Sequence, residues 1–350
     1  MNQRKLYQWI GKVSKEWTGF SRHFRTNVSR FSVGVALSHS SHIRRIAGCV
    51  SGDAASQRRR LQRFVATSWD MQTFFSQWTA SVVRSLKLKS LVLVVDETKL
   101  KARFGVLVVG VAYEGRCIPL AWRVYRANSS AEYPSEGQVG IIMSLLKAIA
   151  TGISPHMPVR VLADRAIGTS PALMRGIMDL NWTFLFRVTR QSKLIQWDGQ
   201  EVTIYNQVTQ VGEQFAASGI VFKNRGRIPA HVRVLWGQEA QERWALVTND
   251  PQLTGWEYVK RAGVDALLVH EHIVAIRAQI LEYGAGVEYI RAAVANEDRF
   301  FDLIGHCGAR PATSGKQSAY YGPALRSQQE GATRRALCVL RVFCGEIALR

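Results

Sequence analysis

The pattern of hydrophobic positions is clearest around the middle of the first half of the chain. Residues 91–95 read Leu-Val-Leu-Val-Val, a run of large aliphatic side chains that is typical of a strand buried on both faces. Two more apolar segments follow, Phe104–Tyr113 and Arg116–Arg126, and the Glu114-Gly115 step between them is a turn signal. The pattern predicts three antiparallel strands that begin a mixed sheet.

The chain then alternates between helical and strand patterns. A helix is predicted over Gly137–Thr151, and the apolar run Pro158–Ala163 follows it as a strand. Ser170–Leu180 has the pattern of a helix capped by Ser170, and Asn181–Thr189 that of the next strand. Three strands, helix, strand, helix and strand predict a mixed α/β sheet with flanking helices.

The regions on either side have other patterns. Residues 1–88 are helical and basic, and residues 89–190 hold the first part of the mixed sheet. Short alternating segments over residues 191–250, separated by Gly, Asn and Asp, predict a mostly β insertion. Residues 251–285 return to a helical pattern that would complete the unit, and the pattern of residues 286–350 assigns no structure.

Charge narrows the function. The chain has 46 Lys and Arg against 26 Asp and Glu, a net charge of +20, which favours a nucleic-acid partner over a membrane surface. No run reaches the roughly 18 apolar residues of a membrane helix, and the five cysteines form no C-x-x-C pair. We expect a reduced, cytoplasmic protein that associates with the nucleoid when bound to DNA and has no membrane partner.

The basic residues concentrate near the N terminus. Up to Asp70 the chain has 13 Lys and Arg against three acidic residues. One cluster lies beside the apolar residues Leu61 and Phe64, a pattern that also fits a solvated helix face. Given the charge excess, we favour contact with DNA phosphates for the four arginines of this cluster, Arg58, Arg59, Arg60 and Arg63.

Two aspartates come directly after apolar strands. Asp96 follows residues 91–95, and Asp164 follows Pro158–Ala163. Adjacent strands lie about 5 Å apart, so two such carboxylates could share a cation. With a third acidic residue they could hold two ions on one phosphate, roughly 3.5–4 Å apart. A single Asp after a strand is often only a cap, but two beside a charge of +20 favour a site.

The third acidic residue is expected on a later helix. At 100° per residue, Tyr258, Arg261, Asp265 and His272 fall within a stripe about 60° wide. Glu271 points away from that stripe. Asp265 is therefore the better candidate by geometry, and Glu271 is the alternative third carboxylate.

As an ordered set, these segments resemble the DDE transposases of bacterial insertion sequences, in the group whose RNase H-like catalytic domain is interrupted by a β-strand insertion. The resemblance covers roughly residues 30–270. The matching segments are Arg58–Phe64, Asp96-Glu97-Thr98, Gly115–Trp122, Ala163-Asp164-Arg165 and Asn181–Arg187. The resemblance implies an RNase H-like mixed sheet with flanking helices and a β insertion, preceded by a helical DNA-binding region.

That group carries the signature Tyr-x2-Arg-x3-Glu-x6-Lys on the helix that bears the third carboxylate. This chain keeps the spacing, with Asp265 in place of Glu and His272 in place of Lys. No pattern of the group follows residue 270, which either divergence or a shifted reading frame in the gene would produce.

The resemblance also implies an activity. It implies cleavage at transposon ends that depends on Mg²⁺, with Mn²⁺ as the alternative cation, followed by attack of the freed 3′-hydroxyl on target DNA. Asp96, Asp164 and Asp265 would hold the ions. The basic N-terminal region would bind the terminal inverted repeats, and a homodimer would pair two ends. The contacts with DNA near the cut would come from Tyr258, Arg261 and His272.

Two other hypotheses stay open. A non-catalytic, DNA-binding relic of a transposase would share every feature except a competent third carboxylate, because Asp265 is shorter than Glu. The strand that ends in Asp96 and Thr98 also resembles the strand that bears the nucleophile in haloacid-dehalogenase-type phosphatases. That family has a second Asp at the position of Thr98, so it ranks below the transposase.

Overall fold

The structure is a computed structural model that describes residues 8, 11, 15, 17–38, 40, 42–68, 70–100, 104–113, 116–126, 133–237, 242–250 and 252. These residues belong to two compact units, one that contains them up to Asp70 and one that begins at Met71. Apart from residue 252, the helix predicted over residues 251–285 lies outside the described residues, together with Tyr258, Arg261, Asp265, Glu271 and His272. Residues 286–350, for which no structure was predicted, also lie outside them.

The first unit is helical, as its sequence pattern predicts. It contains α1 (Arg22–Ser38), α2 (Ile43–Cys49) and α3 (Ala54–Ala66). A Cβ atom on Gly34 would lie 2.4 Å from Ile46 Cγ2, so a glycine is needed where α1 approaches α2 this closely. Asp53 begins α3 as its N-cap, and its carboxylate accepts the backbone N–H of Ser56 at 2.8 Å. The core includes Val28, Phe31, Ile46, Leu61 and Phe64.

The second unit starts with α4 (Met71–Leu86) and continues as a sheet flanked by helices. Its first strands and helices are β1 (Leu91–Leu100), β2 (Phe104–Tyr113), β3 (Arg116–Arg126), α5 (Gly137–Ala150), β4 (Val159–Ala163), α6 (Arg165–Gly168), α7 (Pro171–Asp179) and β5 (Thr183–Arg187). Then come β6 (Lys193–Gln196), β7 (Glu201–Thr203), the 3-10 helix Ile204–Gln207, β8 (Gln214–Val221), β9 (Ile228–Leu235) and β10 (Trp244–Thr248).

All of these strands belong to one mixed sheet, in the order β3-β2-β1-β4-β5-β10-β9-β8-β6-β7. β2 pairs antiparallel with both β1 and β3, which confirms the prediction for the first three strands, and β1, β4 and β5 run parallel. β10 pairs antiparallel with β5, so the strands of residues 191–250 extend the same sheet. The prediction of a mixed α/β sheet with flanking helices is confirmed at this level.

α4 packs within the unit of the sheet, although its sequence pattern grouped it with residues 1–88. Phe74 and Phe75 contact the ring of Trp122 on β3 edge-on, with centroids 6.5 and 5.0 Å away. The indole N–H of Trp78 donates to the carbonyl oxygen of Pro119 at 3.0 Å. Helical periodicity predicts an apolar face but does not identify the core that this face enters.

The helices after β3 pack on different parts of the sheet, α5 on β2 and β3, and α6 and α7 on β5. α5 buries Ile141, Leu145 and Ile149. α7 begins as predicted, since the hydroxyl of Ser170 accepts the backbone N–H of Leu173 at 3.3 Å. Among the helices of the described residues, none has both the length and the apolar character that a bilayer crossing requires.

Candidate active site

Two of the predicted carboxylates lie side by side on neighbouring strands of the sheet. In the parallel pairing of β1 and β4, Val95 is opposite Ala163. Asp96 and Asp164 are the next residues of the two strands. Residues that face each other on neighbouring strands point to the same side of the sheet, and the strands are about 5 Å apart. The fold therefore brings the backbones at Asp96 and Asp164 together at the point where β4 ends.

The topology marks the same place independently of these residue types. From β1 the chain turns to β2 on one side, and after β3 it crosses to β4 on the other side of β1. Such a change of direction opens a crevice at the carboxyl ends of the parallel strands. In open α/β sheets, ligands bind in that crevice. Residue chemistry and strand order thus point to one location.

Asp96 is almost fully buried, with 1% of its surface exposed. β1 stays paired with β2 as far as Leu100, so Asp96 lies inside that antiparallel ladder and not at the end of a strand. Cys117 also lies on this side, because its sulfur occupies the space over Gly110 where a Cβ would be. Burial, and to a smaller extent the charge of Asp96, raises the pKa of Cys117, which keeps a neutral thiol near the carboxylate.

Asp164 also caps a helix. Its Oδ1 accepts the backbone N–H of Ala166 at 3.0 Å and that of Ile167 at 3.2 Å, which starts the single turn of α6. The cap considered from the sequence is therefore real. It does not exclude a cation, because an ionised carboxylate has about four lone-pair sites on two oxygens. The cap fixes the direction of the side chain, which remains partly exposed.

The donor chemistry fits Mg²⁺ in part. Carboxylate oxygens are the hard ligands that Mg²⁺ prefers, and one or two carboxylates with several waters are its usual protein ligands. Within the described residues, no group of three His, Cys, Asp or Glu side chains is arranged to hold a metal ion. Asp96 and Asp164 thus supply two candidate ligands. Asp265 and Glu271, the predicted sources of a third, are not among the described residues.

Glu97 belongs to a different cluster. Successive strand residues alternate between the faces of a sheet, so Glu97 points away from the side of Asp96. Its carboxylate accepts hydrogen bonds from the hydroxyl of Tyr125 and the side-chain amide of Gln138. Burial, followed by the hydrogen bond to Glu97, raises the pKa of Tyr125. Glu97 is therefore not a member of the carboxylate pair formed by Asp96 and Asp164.

Three arginines converge beside these two carboxylates, and their positions in the sequence do not reveal them as a cluster. Ala163 of β4 is opposite Phe186 of β5, so Arg187 continues the row formed by Asp96 and Asp164. Arg187 and Arg190 contact the carboxylate of Glu242 at 2.5 and 2.7 Å. Arg165 reaches the same carboxylate at 3.4 Å. We call Arg165, Arg187, Arg190 and Glu242 the Arg–Glu242 cluster.

Aromatic rings and one carboxylate hold these guanidinium groups. Hydrogen bonds from Arg190 and then Arg187 lower the pKa of Glu242 to about 2 against the effect of burial, so this carboxylate is ionised at neutral pH. Arg187 lies 5.3 Å from the ring centroid of Trp244, and Arg190 lies 5.1 Å from that of Tyr205. Three positive charges against one negative charge leave the cluster at +2.

The sequence contained half of the signal for this cluster. Arg165 and Arg187 stand at the ends of apolar runs, where a site is expected. Glu242 follows Arg187 by 55 residues and comes near it only because β10 pairs with β5. No spacing rule connects those two segments.

The first unit carries the other predicted DNA contacts. On α3, Leu61 and Phe64 are buried while Arg59 and Arg63 are exposed, which is the amphipathic helix that the pattern predicts. Contact with phosphates stays a prediction for Arg58, Arg59, Arg60 and Arg63. A cavity of about 630 Å³ in this unit is lined by four basic residues, Lys15, Arg22, Arg25 and Arg30, together with Gly11, Thr26, Ser29 and Ser51.

No protein-family model matches the chain. A search of curated proteins finds similarity to a uracil-DNA glycosylase of Alkaliphilus metalliredigens (strain QYMF), with 29% identity over 139 residues. The matched region is 33% of this chain, and the chain spans 61% of the length of that relative.

Proposed function

We propose that this protein is a DDE-type transposase, which binds transposon-end DNA and catalyses Mg²⁺-dependent cleavage and strand transfer. One observation carries the proposal. Asp96 and Asp164 directly follow the paired residues Val95 and Ala163 of two parallel strands. Carboxylates side by side on neighbouring parallel strands are the arrangement that a shared cation requires.

The order of the strands supports the same family. Five strands in the order β3-β2-β1-β4-β5, with β2 antiparallel to the others, are the arrangement expected of an RNase H-like sheet. The strands from β6 to β10 follow β5 in the chain, at the position expected for the β insertion of this group. A basic helical unit precedes them, as the proposal requires for binding of the inverted repeats.

In the proposed mechanism, Asp96, Asp164 and Asp265 would hold the cations. Bound Mg²⁺ or Mn²⁺ would activate the attacking oxygen and stabilise the leaving oxygen of the cleaved phosphodiester. The protein keeps its first two carboxylates in fixed positions. Asp96 is held in the ladder between β1 and β2, and the cap of α6 orients Asp164. Such fixed placement matters, because a displacement of about 1 Å can lower a catalytic rate about 100-fold.

The proposal also assigns the contacts with DNA and the assembly. The basic first unit, with Arg58, Arg59, Arg60 and Arg63, binds the terminal inverted repeats, and a homodimer pairs two ends. The contacts next to the cut, with transposon and target DNA, come from Tyr258, Arg261 and His272.

The test is a nicking assay with the full chain. A supercoiled plasmid that carries the sequences flanking the protein's own gene is incubated with Mg²⁺, Mn²⁺ or EDTA, and nicked product is counted on a gel. We expect nicks with either cation and none with EDTA. Asp96→Asn should abolish nicking and keep DNA binding in EDTA, while Asp198→Asn, a change on an exposed loop, should leave both nicking and DNA binding unchanged. Equal nicking by Asp96→Asn would refute the proposal.

Asp265 keeps the relic hypothesis as an alternative. A chain that binds the flanking sequences tightly, melts cooperatively and nicks under no cation condition would be such a relic. The two proposals share all binding properties, so only the cleavage result separates them.

The similarity to a uracil-DNA glycosylase favours a second candidate activity, removal of a base from DNA. Glycosylases extrude the target base into a pocket and leave the phosphodiester intact. A duplex with one uracil, incubated in EDTA and then treated with alkali, would break at the uracil only if this activity is present. Breakage there, with no Mg²⁺-dependent nicking of the plasmid, would favour the glycosylase over the transposase.

A further inference from the structure

The Arg–Glu242 cluster has the geometry of an anion site that an internal carboxylate fills. Arg187 and Arg190 contact different oxygens of Glu242, and Arg165 shares one of them. A guanidinium group presents a planar fork of donors that matches carboxylate and phosphate oxygens equally well. A phosphate group at the position of this carboxylate would therefore meet the same three donors.

The position of the cluster indicates which phosphate it would meet. Arg165 is the residue after Asp164, and Arg187 is next to Asp164 in the row of residues across β1, β4 and β5. An anion bound by these arginines would lie beside the carboxylates that the proposed function assigns to cleavage. A DNA strand with a phosphate at that site has neighbouring phosphates within reach of the cluster.

The exposure of the side chains allows such an exchange. The side chain of Glu242 is 26% exposed and that of Arg190 is 57% exposed, so both reach solvent, whereas Arg187 is only 17% exposed and lies against Trp244. The buried part of the cluster can thus stay in place while the carboxylate moves out. The surplus of two positive charges favours an incoming polyanion.

We propose that Arg165, Arg187 and Arg190 bind a backbone phosphate of the DNA strand, and that Glu242 occupies the place of that phosphate in the free protein. The proposal rests on the proposed function for the identity of the polyanion, DNA, and for its path past the row of residues that crosses β1, β4 and β5. Glu242 then competes with DNA and weakens non-specific binding. A purely structural ion pair, which only ties β5 to β10, is the competing explanation.

The decisive variant is Glu242→Gln, measured by fluorescence anisotropy with a 20-base-pair duplex in EDTA, between about 50 and 200 mM salt. We expect the variant to bind about tenfold more tightly at the lowest salt. The slope of log affinity against log salt should steepen by about 0.9 for each phosphate newly neutralised. Adding Arg190→Ala to Glu242→Gln should remove that gain.

The sheet offers a matched control. Glu201 also contacts two basic side chains, Lys193 at 2.7 Å and Lys223 at 3.3 Å, but it lies on β7 at the far end of the sheet. Glu201→Gln changes the net charge by the same amount, so it reports the general effect of one lost negative charge. We expect it to change affinity less than twofold. If Glu242→Gln binds no more tightly than Glu201→Gln, the proposal is wrong.

A second pair of variants serves if Glu242→Gln does not fold, which thermal melting would reveal. Arg190→Ala removes an exposed side chain, and Arg225→Ala removes an exposed arginine from the turn between β8 and β9. The proposal predicts a weaker salt dependence for Arg190→Ala and little change for Arg225→Ala. Equal effects would overturn it.

All of these measurements are made in EDTA, so they do not depend on cleavage. Loss of the cluster effect would leave the Asp96→Asn result untouched. Absence of nicking would likewise leave the binding comparison intact.

Discussion

The two units hold their arginines in different ways. On α3 of the first unit, Arg59 and Arg63 extend from the exposed face of a helix whose other face is buried. In the second unit, Arg187 and Arg190 are fixed by one carboxylate and by aromatic rings. Long exposed side chains attract any polyanion without fixing its position. Guanidinium groups held by neighbours have a set direction and can position a strand.

This difference suggests a division of labour between the two units. The first unit would supply affinity for DNA. The carboxylates and arginines of the second unit would position the DNA strand and carry out the chemistry. Changes at the carboxylates should then lower cleavage without loss of binding, and changes on α3 should do the reverse.

The largest effect is expected at Asp164, which has two proposed roles. Asn is as good an N-cap as Asp, so Asp164→Asn should keep the cap of α6 and remove only a negatively charged ligand. We expect nicking to fall at least 100-fold, with unchanged DNA binding and thermal stability.

Asp164→Ala provides the companion measurement. It removes the cap as well, which should lower the free energy of unfolding by about 1 kcal/mol. If Asp164→Asn nicks DNA as the wild type does, Asp164 is a cap only, and the catalytic role proposed for it in the second unit is wrong.

Asp265 gives the next effect, an increase. Its side chain is shorter than Glu by roughly 1.3–1.5 Å, judged from single-bond lengths, and such a gap can lower a rate about 100-fold. Asp265→Glu should therefore raise Mg²⁺-dependent nicking by up to about 100-fold in the plasmid assay. If it changes nothing while Glu271→Gln abolishes a measurable activity, Glu271 is the third ligand.

The first unit is tested by replacing Arg58, Arg59 and Arg60 together with Ala. The slope of log affinity against log salt should flatten by up to about 2.7, which is three times the 0.9 expected for each phosphate. Cleavage per bound complex should stay the same. An unchanged slope would show that these arginines form only a solvated face.

The smallest effect concerns the stability of the second unit. The folded-state pKa of Glu242, about 2, lies below its ordinary value of 4.5. Glu242 therefore adds stability above pH 4.5, and this contribution disappears as the pH falls from 4.5 toward 2. In urea unfolding, wild type and Glu242→Gln should differ by about 1–2 kcal/mol at neutral pH, after allowance for solvent screening, and should converge in acid.

Glu201→Gln is again the control for this measurement, because its ion pairs are exposed to solvent. Its difference from wild type should depend less on pH. A constant difference between wild type and Glu242→Gln from pH 7 to pH 2 would show that the arginines do not stabilise the ionised carboxylate.

Much of the secondary structure of the second unit could be predicted from the sequence. Strands β2 and β3 have the predicted ends, α5 is one residue shorter than predicted at its C-terminal end, and α7 is one residue shorter at each end. Alternation in strands, the helical period and caps such as Ser170 are local properties of neighbouring residues. The two aspartates could be selected for the same reason, since each stands where an apolar run stops.

The tertiary structure decided what those elements meet. Whether α4 packs on β3, how far the sheet continues beyond β5, and that Glu242 reaches Arg187 all depend on contacts between distant segments. A given apolar face or strand edge fits many partners, and the choice among them follows from the burial of the whole sheet. The sequence alone therefore determined the elements and the residues suited to a site. The pairing of the strands across the sheet decided which of those residues lie side by side.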